Sequence, residues 1–381
     1  MIKSKKMSKQ KKVVVSVTND LYTDQRVHKV CLFLESQGFL VVLVGRQRKS
    51  SKELPLRSYQ TKRFNLFFDK GAKFYAEYNF RLFWYLIFKK VDVLVANDLD
   101  TLLANYVASK FKPTSRLVYD SHEYFTEVPE LIHRKKVKQI WEAIEGWIFP
   151  KLKTIYTVNS SIAKLYADKY QKEIKMVRNI APSWEPKSLK SKQELGIPEN
   201  KKLIVLQGAG INIDRGAEEA VQAMKLLENA VLMIVGDGDV VHQLKKYVID
   251  NQLDLKVLFF DKRPYNEMMN FTYYADLGLT LDKPTNINYR YSLPNKVFDY
   301  IQAETPIVAT NLIEISRIVE EFKVGEVINE FTPENLAFVL NSLLNDESRL
   351  TFLKENCSKA AKVLNWENEI QVLKEIYLSI D

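Results

Sequence analysis

The chain has 381 residues, 46% hydrophobic and 12% aromatic, which is enough apolar material for two packed domains and excludes global disorder. Its net charge of +9 hides a split: residues 1–180 carry 34 Lys and Arg against 17 Asp and Glu, while 181–381 carry 22 against 30. The first part is therefore expected to face something anionic, such as phosphate, an acidic membrane surface or nucleic acid.

In chain order, the basic opening leads into an apolar run of only Val13 to Val15, too short for a secretory core. No stretch reaches the roughly 20 apolar residues that span a bilayer, so a cytoplasmic protein is expected. Apolar runs rich in β-branched residues at 13–17, 39–45, 91–97, 116–120, 154–159 and 174–179 read as strands. Helical patterns at 24–37, 100–111 and 159–170 lie between several of them, which predicts a parallel sheet covered on both faces. The segment KFYAEYNFRLFWYLIFKK (73–90) reads as a covering helix. Its functional alternative is an interfacial helix with Arg81, Lys89 and Lys90 on lipid phosphates, helped by the basic tracts KSKKMSKQKK and HRKKVK.

Residues 180–200, with three prolines and polar filler, predict a linker. A second strand series follows at 202–208, 230–236, 256–260, 275–281 and 305–310, interleaved with helices at 215–227, 239–252, 264–274 and 294–303. Helices at 332–345, 347–364 and 366–379 close the chain. The expected architecture is α/β, with two doubly wound parallel-sheet domains and a cleft between them as the natural ligand site. Cys31 and Cys357 have no partner motif and read as buried thiols of a reducing compartment; the four histidines show no zinc spacing, so no metal is expected.

Three strand-to-helix corners of the second series suit a nucleotide. Gly208 and Gly210 follow a strand, and Arg215 and Gly216 open a helix, where a backbone approach and a guanidinium fork favour a pyrophosphate. Gly236 and Gly238 end another strand; there Asp-Gly-Asp reads as a turn with an Asp cap for the helix from Val240 rather than a metal site. In SLPNKVFDY, Pro294 suits a first helical turn, Lys296 offers a cation to a phosphate, and Asp299 offers a carboxylate to ribose hydroxyls. The plainer reading of Lys296 and Asp299 is an i,i+3 surface pair.

The pieces QGAG, DRG, MIVGDGD, FFDKRPYNEM, YYADLGLTL and SLPNKVFDYIQAETPIVAT resemble retaining glycosyltransferases of the two-Rossmann GT-B fold, in the group called family four. TNDLYTDQRVHKVCLFLESQGFLVVLVG, VLVANDLDTLLA and LVYDSHEYFTEVPEL resemble that family's first domain, and NWENEIQVLKEIYLSI its terminal helix. The resemblance implies a first, acceptor-side domain at 1–182 joined by the helix 365–381, and a nucleotide-sugar domain at 183–364. It implies that Arg215 and Lys296 hold the donor diphosphate, with Gly208, Gly210, Gly236, Arg263, Asn295 and Asp299 around the donor. It places His122 and Glu123 at the transferred sugar and the loop from Asn19 to Asp24 at the acceptor.

The sequence departs from the family at Tyr291, where a Glu reads donor-sugar hydroxyls, and at Ala209, where an Arg meets phosphate; Arg290 is a candidate replacement. The implied reaction is metal-independent transfer, without a cofactor, from a nucleotide-diphosphate sugar to a glycan or lipid-linked acceptor, with peripheral contact to an anionic membrane and no nucleic acid. A nucleotide-sugar epimerase, a basic nucleic-acid-binding protein and an inactive scaffold are the rivals. His122 could equally be a satisfied strand-end histidine. Asp98 and Asp100 mimic a metal-binding pair, but Asp100 is expected to cap the helix from Thr101, and Asp24 and Arg26 could be the cap and solvated face of the first helix.

Overall fold

The computed structural model describes residues 10–22, 24–187 and 189–378, and the chain divides into two compact units. Unit 1 takes in the residues up to Val177 and those from Val372 on; unit 2 runs from Arg178 to Gln371.

Unit 1 contains β1 (Lys12–Ser16), α1 (Gln25–Ser36), β2 (Leu40–Gln47), β3 (Gln60–Asn65), α2 (Gly71–Phe88), β4 (Val93–Asn97), α3 (Leu99–Lys110), β5 (Arg116–Ser121), α4 (Pro129–Ile132), α5 (Lys135–Ile148), β6 (Thr154–Thr157), α6 (Ser160–Tyr170) and β7 (Lys175–Met176). All seven strands are parallel, in the order β3-β2-β1-β4-β5-β6-β7. Val13 to Val15 and Val93 to Val95 are fully buried, as expected for central strands covered on both faces. The strand order reverses between β1 and β4, so the carboxyl ends of those two strands flank a crevice-forming switch point.

Helix α2 buries Phe74, Tyr78, Leu82 and Leu86, a strict i,i+4 stripe, against β2 and β4 residues such as Val44 and Leu94. The expected covering helix is present, but its opposite face is also apolar. Phe80, Trp84 and Phe88 are 65, 43 and 77% exposed, and Trp84 stacks on Phe88 with ring centroids 5.7 Å apart.

Unit 2 contains α7 (Lys192–Leu195), β8 (Lys202–Gly208), α8 (Ala217–Ala223), β9 (Ala230–Gly236), α9 (Val241–Asp250), β10 (Val257–Phe260), α10 (Tyr265–Tyr274), β11 (Leu277–Thr280), α11 (Ile287–Arg290), α12 (Asn295–Gln302), β12 (Ile307–Thr310), α13 (Ile313–Phe322), β13 (Gly325–Ile328), α14 (Pro333–Leu344) and α15 (Glu347–Ala361). Its six parallel strands run β10-β9-β8-β11-β12-β13, with the reversal between β8 and β11. The last helix, α16 (Trp366–Leu378), begins among unit 2 residues and ends among those of unit 1. The Pro-rich stretch after Asn179 is no free linker at its start: Ile180 and Ala181 are buried in the unit 2 core.

Several glycines of unit 2 are dictated by close backbone approach, Gly236 and Gly216 among them. A Cβ on Gly236 would lie 1.8 Å from the Gly208 carbonyl oxygen, because the ends of β8 and β9 converge. Gly216 has φ +73°, and a Cβ there would meet Leu281 Cβ and O at 2.4 Å. A Cβ on Gly210 would make only an ordinary contact, 3.7 Å to Asn212 Nδ2, so that position carries no such demand.

Candidate functional site

At the switch point of unit 2, β8 and β11 lie side by side although 73 residues separate Val205 from its partner Gly278. Beyond their carboxyl ends the chain places Arg215 and Asp282. Arg215 Nη1 donates to Asp282 Oδ2 at 2.5 Å, and Ser292 Oγ donates to the same oxygen at 3.1 Å. Asp282 is fully buried, and the Thr310 hydroxyl donates to its carbonyl oxygen at 2.7 Å, which fixes the backbone beneath the carboxylate. The guanidinium of Arg215 lies 4.2 Å from the ring centroid of Tyr289, so one of its faces is covered while a quarter of the side chain remains exposed.

Lys296 stands in the first turn of α12, a helix start that no side chain caps. Burial lowers its pKa, Asp282 opposes that shift and Arg215 adds to it, so the three charges share one locality. Lys296 makes no ion pair with a described residue, which removes the expected surface pair with Asp299. Asp299, one turn on, is 7% exposed: Tyr265 Oη donates to Oδ1 at 3.1 Å and Gln207 Nε2 to Oδ2 at 3.3 Å. Its carboxylate thus already serves protein donors, and a ribose would have to share it. Arg263, Arg290 and Asn295 are exposed. Pro294 stands just outside α12, and the expected Asp cap before α9 is absent: Val240 holds the cap position, and Asp239 Oδ1 accepts from the Ile213 amide instead. The start of α8 carries Glu218 and Glu219, which counter the anion preference expected of that helix end.

At the switch point of unit 1 the electrostatics are inverted. Asp98, Asp120 and His122 meet at the carboxyl ends of β4 and β5. His122 Nδ1 lies 3.3 Å from Asp98 Oδ2, and its Nε2 lies 3.3 Å from Asp120 Oδ2 and 3.2 Å from Asn97 Oδ1. The His122 amide donates to Asp98 Oδ1 at 2.8 Å. Burial works against the imidazolium, but the two carboxylates outweigh it and raise His122 to about 9. Burial would likewise raise Asp120, yet Arg26 and His122 hold it at about 2. Glu123 is pushed up to about 8 by burial, Asp98 and Glu130, and Asp100 to about 7 by burial and Asp98.

Two expectations are corrected here and a third holds. Asp100 is not the cap of α3: Asp98 holds that position, with φ 58°, and turns its carboxylate to His122, while Asp100 accepts from the Thr18 hydroxyl at 2.5 Å. Arg26 is not on a solvated face; it is 4% exposed and donates to Asp120 at 2.7 Å and to the Val177 carbonyl at 2.8 Å. Asp24 does cap α1, accepting from the Val27 amide at 3.0 Å and from Asn19 Nδ2 at 2.7 Å, so both named loop side chains have structural partners. The sequence reading missed Asp282, Tyr289 and Ser292 in unit 2 and Asp120 in unit 1. Asp282 could have been suspected as an acid ending an apolar strand in GLTLD. Asp120 could have been suspected from YDSHE.

Residues 188–363 match the family model of glycosyl transferases group 1. The probable glycosyltransferase WbjE of Pseudomonas aeruginosa is 32% identical over 139 residues, a stretch that spans 34% of this chain and a third of that protein's length. Among solved structures, a glycosyltransferase of Rickettsia africae superposes with a TM-score of 0.78 at 14% identity, covering 98% of this chain and 99% of that one. HepE of Anabaena, solved in complex with UDP-glucose, gives 0.73 at 14% identity over 97% and 99%. Both likenesses establish the fold. Residues 188–363 thus resemble the group 1 glycosyltransferases over a little under half of the chain, and the two parallel-sheet units have the GT-B fold.

Proposed function

We propose that the protein transfers a sugar from a nucleotide-diphosphate donor to a glycan or lipid-linked hydroxyl, with retention at the anomeric carbon and without a metal. The observation that carries this reading is the grouping of Arg215 and the uncapped α12 start with Lys296 at the unit 2 switch point, where fixed cations and amides favour a diphosphate. In a front-face displacement the diphosphate leaves toward those charges while the acceptor hydroxyl attacks from the same side, and the leaving phosphate takes the proton. Asp299, held by Tyr265, is assigned to the ribose. His122 and Glu123 are assigned to the transferred sugar, with His122 as a charged donor. That HepE was solved with UDP-glucose supports a uridine donor.

The test is a melting-temperature panel of UDP-, GDP-, ADP- and TDP-sugars on wild type and Lys296→Ala. One nucleotide series should stabilise the wild type without added metal, with most of the shift lost in the variant. A wild type indifferent to every nucleotide sinks the reading. The epimerase alternative is favoured by Glu123 and His122, adjacent in the chain and both holding protons near neutral pH, of which one would have to release its proton to serve as base. It requires release of free sugar and nucleotide from the donor alone, whereas the transferase requires an acceptor for turnover.

Peripheral contact with an anionic membrane belongs to the same proposal. The outward Phe80, Trp84 and Phe88 of α2, with Lys89 and Lys90 at its end, combine an apolar face with a basic rim. Sedimentation with vesicles of phosphatidylglycerol should carry the wild type down at low salt and largely release Trp84→Ser/Phe88→Ser. Equal sedimentation of the two would remove this face from the account.

A further inference from the structure

The donor reading leaves Asp282 unexplained. A site built to hold a diphosphate places a fully buried carboxylate on its own arginine. A brace that only oriented the guanidinium needs no charge, since a carbonyl or an amide oxygen accepts the same hydrogen bond. A buried carboxylate is costly to desolvate, and here it is only partly compensated. Oδ2 accepts from Arg215 and Ser292, whereas Oδ1 is out of water with no hydrogen-bond partner among the described residues. It also subtracts one unit from a locality that otherwise offers two positive charges, Arg215 and Lys296.

We propose that Asp282 is a built-in rival of the phosphates for Arg215, a carboxylate that keeps the grip on the spent nucleoside diphosphate loose enough for it to leave. The proposal rests on the donor reading above and goes beyond it by assigning a role in release. Arg215 offers Nη1 to Asp282, and the exposed quarter of its side chain is what a phosphate can reach. A phosphate and a carboxylate on one guanidinium lie about 5–6 Å apart, where repulsion at an effective dielectric of about 20 is worth up to roughly a hundredfold in affinity. Tyr289 and Ser292, both from the segment that follows Asp282, hold the pair in register. Product departure limits turnover in many transferring enzymes, so a device that weakens product affinity raises kcat at the expense of binding.

The experiment titrates UDP, GDP, ADP and TDP into wild type, Asp282→Asn, Arg215→Ala and the double variant, and follows donor turnover and product inhibition. Asp282→Asn should bind the diphosphate preferred by the wild type at least tenfold more tightly, with lower donor KM, stronger product inhibition and lower kcat. Arg215→Ala, which leaves the carboxylate facing the phosphates alone, should lose binding, and adding Asp282→Asn should restore part of it. Unchanged or weaker binding by a folded Asp282→Asn, or a double variant no better than Arg215→Ala, reduces Asp282 to a brace and overturns the proposal. Should Asp282→Asn fail to show the native melting transition, Asp282→Ser carries the same comparison. A wild type that binds none of the four diphosphates refutes the donor reading itself, which is a different result from an Asp282 variant without effect.

Discussion

The switch points of the two units share a geometry and oppose each other in charge. In unit 1, part of a sequence half that carries 34 basic against 17 acidic residues, the crevice holds Asp98, Asp100, Asp120 and Glu123 around Arg26 and His122. In unit 2, whose half is net acidic, the crevice holds Arg215 and Lys296 against Asp282. The charge of a domain is therefore a poor guide to the charge of its site. The basic excess of the first half sits largely on outer segments, such as the exposed run 133–137 and the exposed Lys89 and Lys90. The expectation that the first half as a whole faces an anion does not extend to its crevice. Its carboxylates suit a charged imidazole and neutral hydroxyls, while the unit 2 cations suit phosphate.

The two corners are also built with different backbones. Unit 2 combines glycines at close approach with Asp214 at φ 65°, and unit 1 places Leu21 at 70° and Asp98 at 58°. Gly216→Ala tests the first device and should have the largest effect. Its Cβ would stand 2.4 Å from Leu281 in a left-handed conformation, so a loss of about 2–4 kcal/mol in urea unfolding is expected, together with weakened nucleotide binding. A fully stable Gly216→Ala would show that the corner yields easily and blur the contrast with unit 1.

A smaller effect separates the two sites by pH. A group whose folded pKa is raised stabilises below its unfolded value and loses that contribution as pH rises through the folded value. His122, raised from an ordinary value near 6.5 to about 9, therefore contributes most below about pH 6 and nothing well above 9. Glu123 at about 8 and Asp100 at about 7 act in the same direction, because the folded protein holds protons that the unfolded chain has released. Stability should fall between pH 6 and 9, and His122→Gln should flatten that slope by about 2 kcal/mol in unfolding measured across the range. An unchanged slope would mean that the imidazole is not charged between its carboxylates.

Much of this architecture was legible from periodicity. The runs 202–208 and 230–236 coincide with β8 and β9, and the series of buried strands and covering helices produces both sheets. What escaped has a physical reason. The QTKRFN edge strand β3 buries only Phe64, so it lacks the apolar signature, and the four residues of β13 bury only Ile328. Helix α5 carries its apolar residues on one face, yet buries Trp141 and Ile148 while leaving Val137, Ile140 and Trp147 exposed. Arg215, Lys296 and His122 stood out by residue type at strand ends. Asp282 did not, because its meaning lies in an arginine 67 residues away that only the β8–β11 pairing brings within reach.

That pairing also sets an order on how the molecule comes into being. Strand β1 closes its switch point only with β4, whose Val93 pairs with Val13, and β8 closes its own only with β11. A growing polypeptide that has not yet reached Asp282 contains Arg215 but has nothing to hold it, and one that stops short of Lys296 lacks the second cation altogether. Each switch point is thus completed only after the first strands of its unit have been made, and until then those strands stand as sticky, unpaired edges.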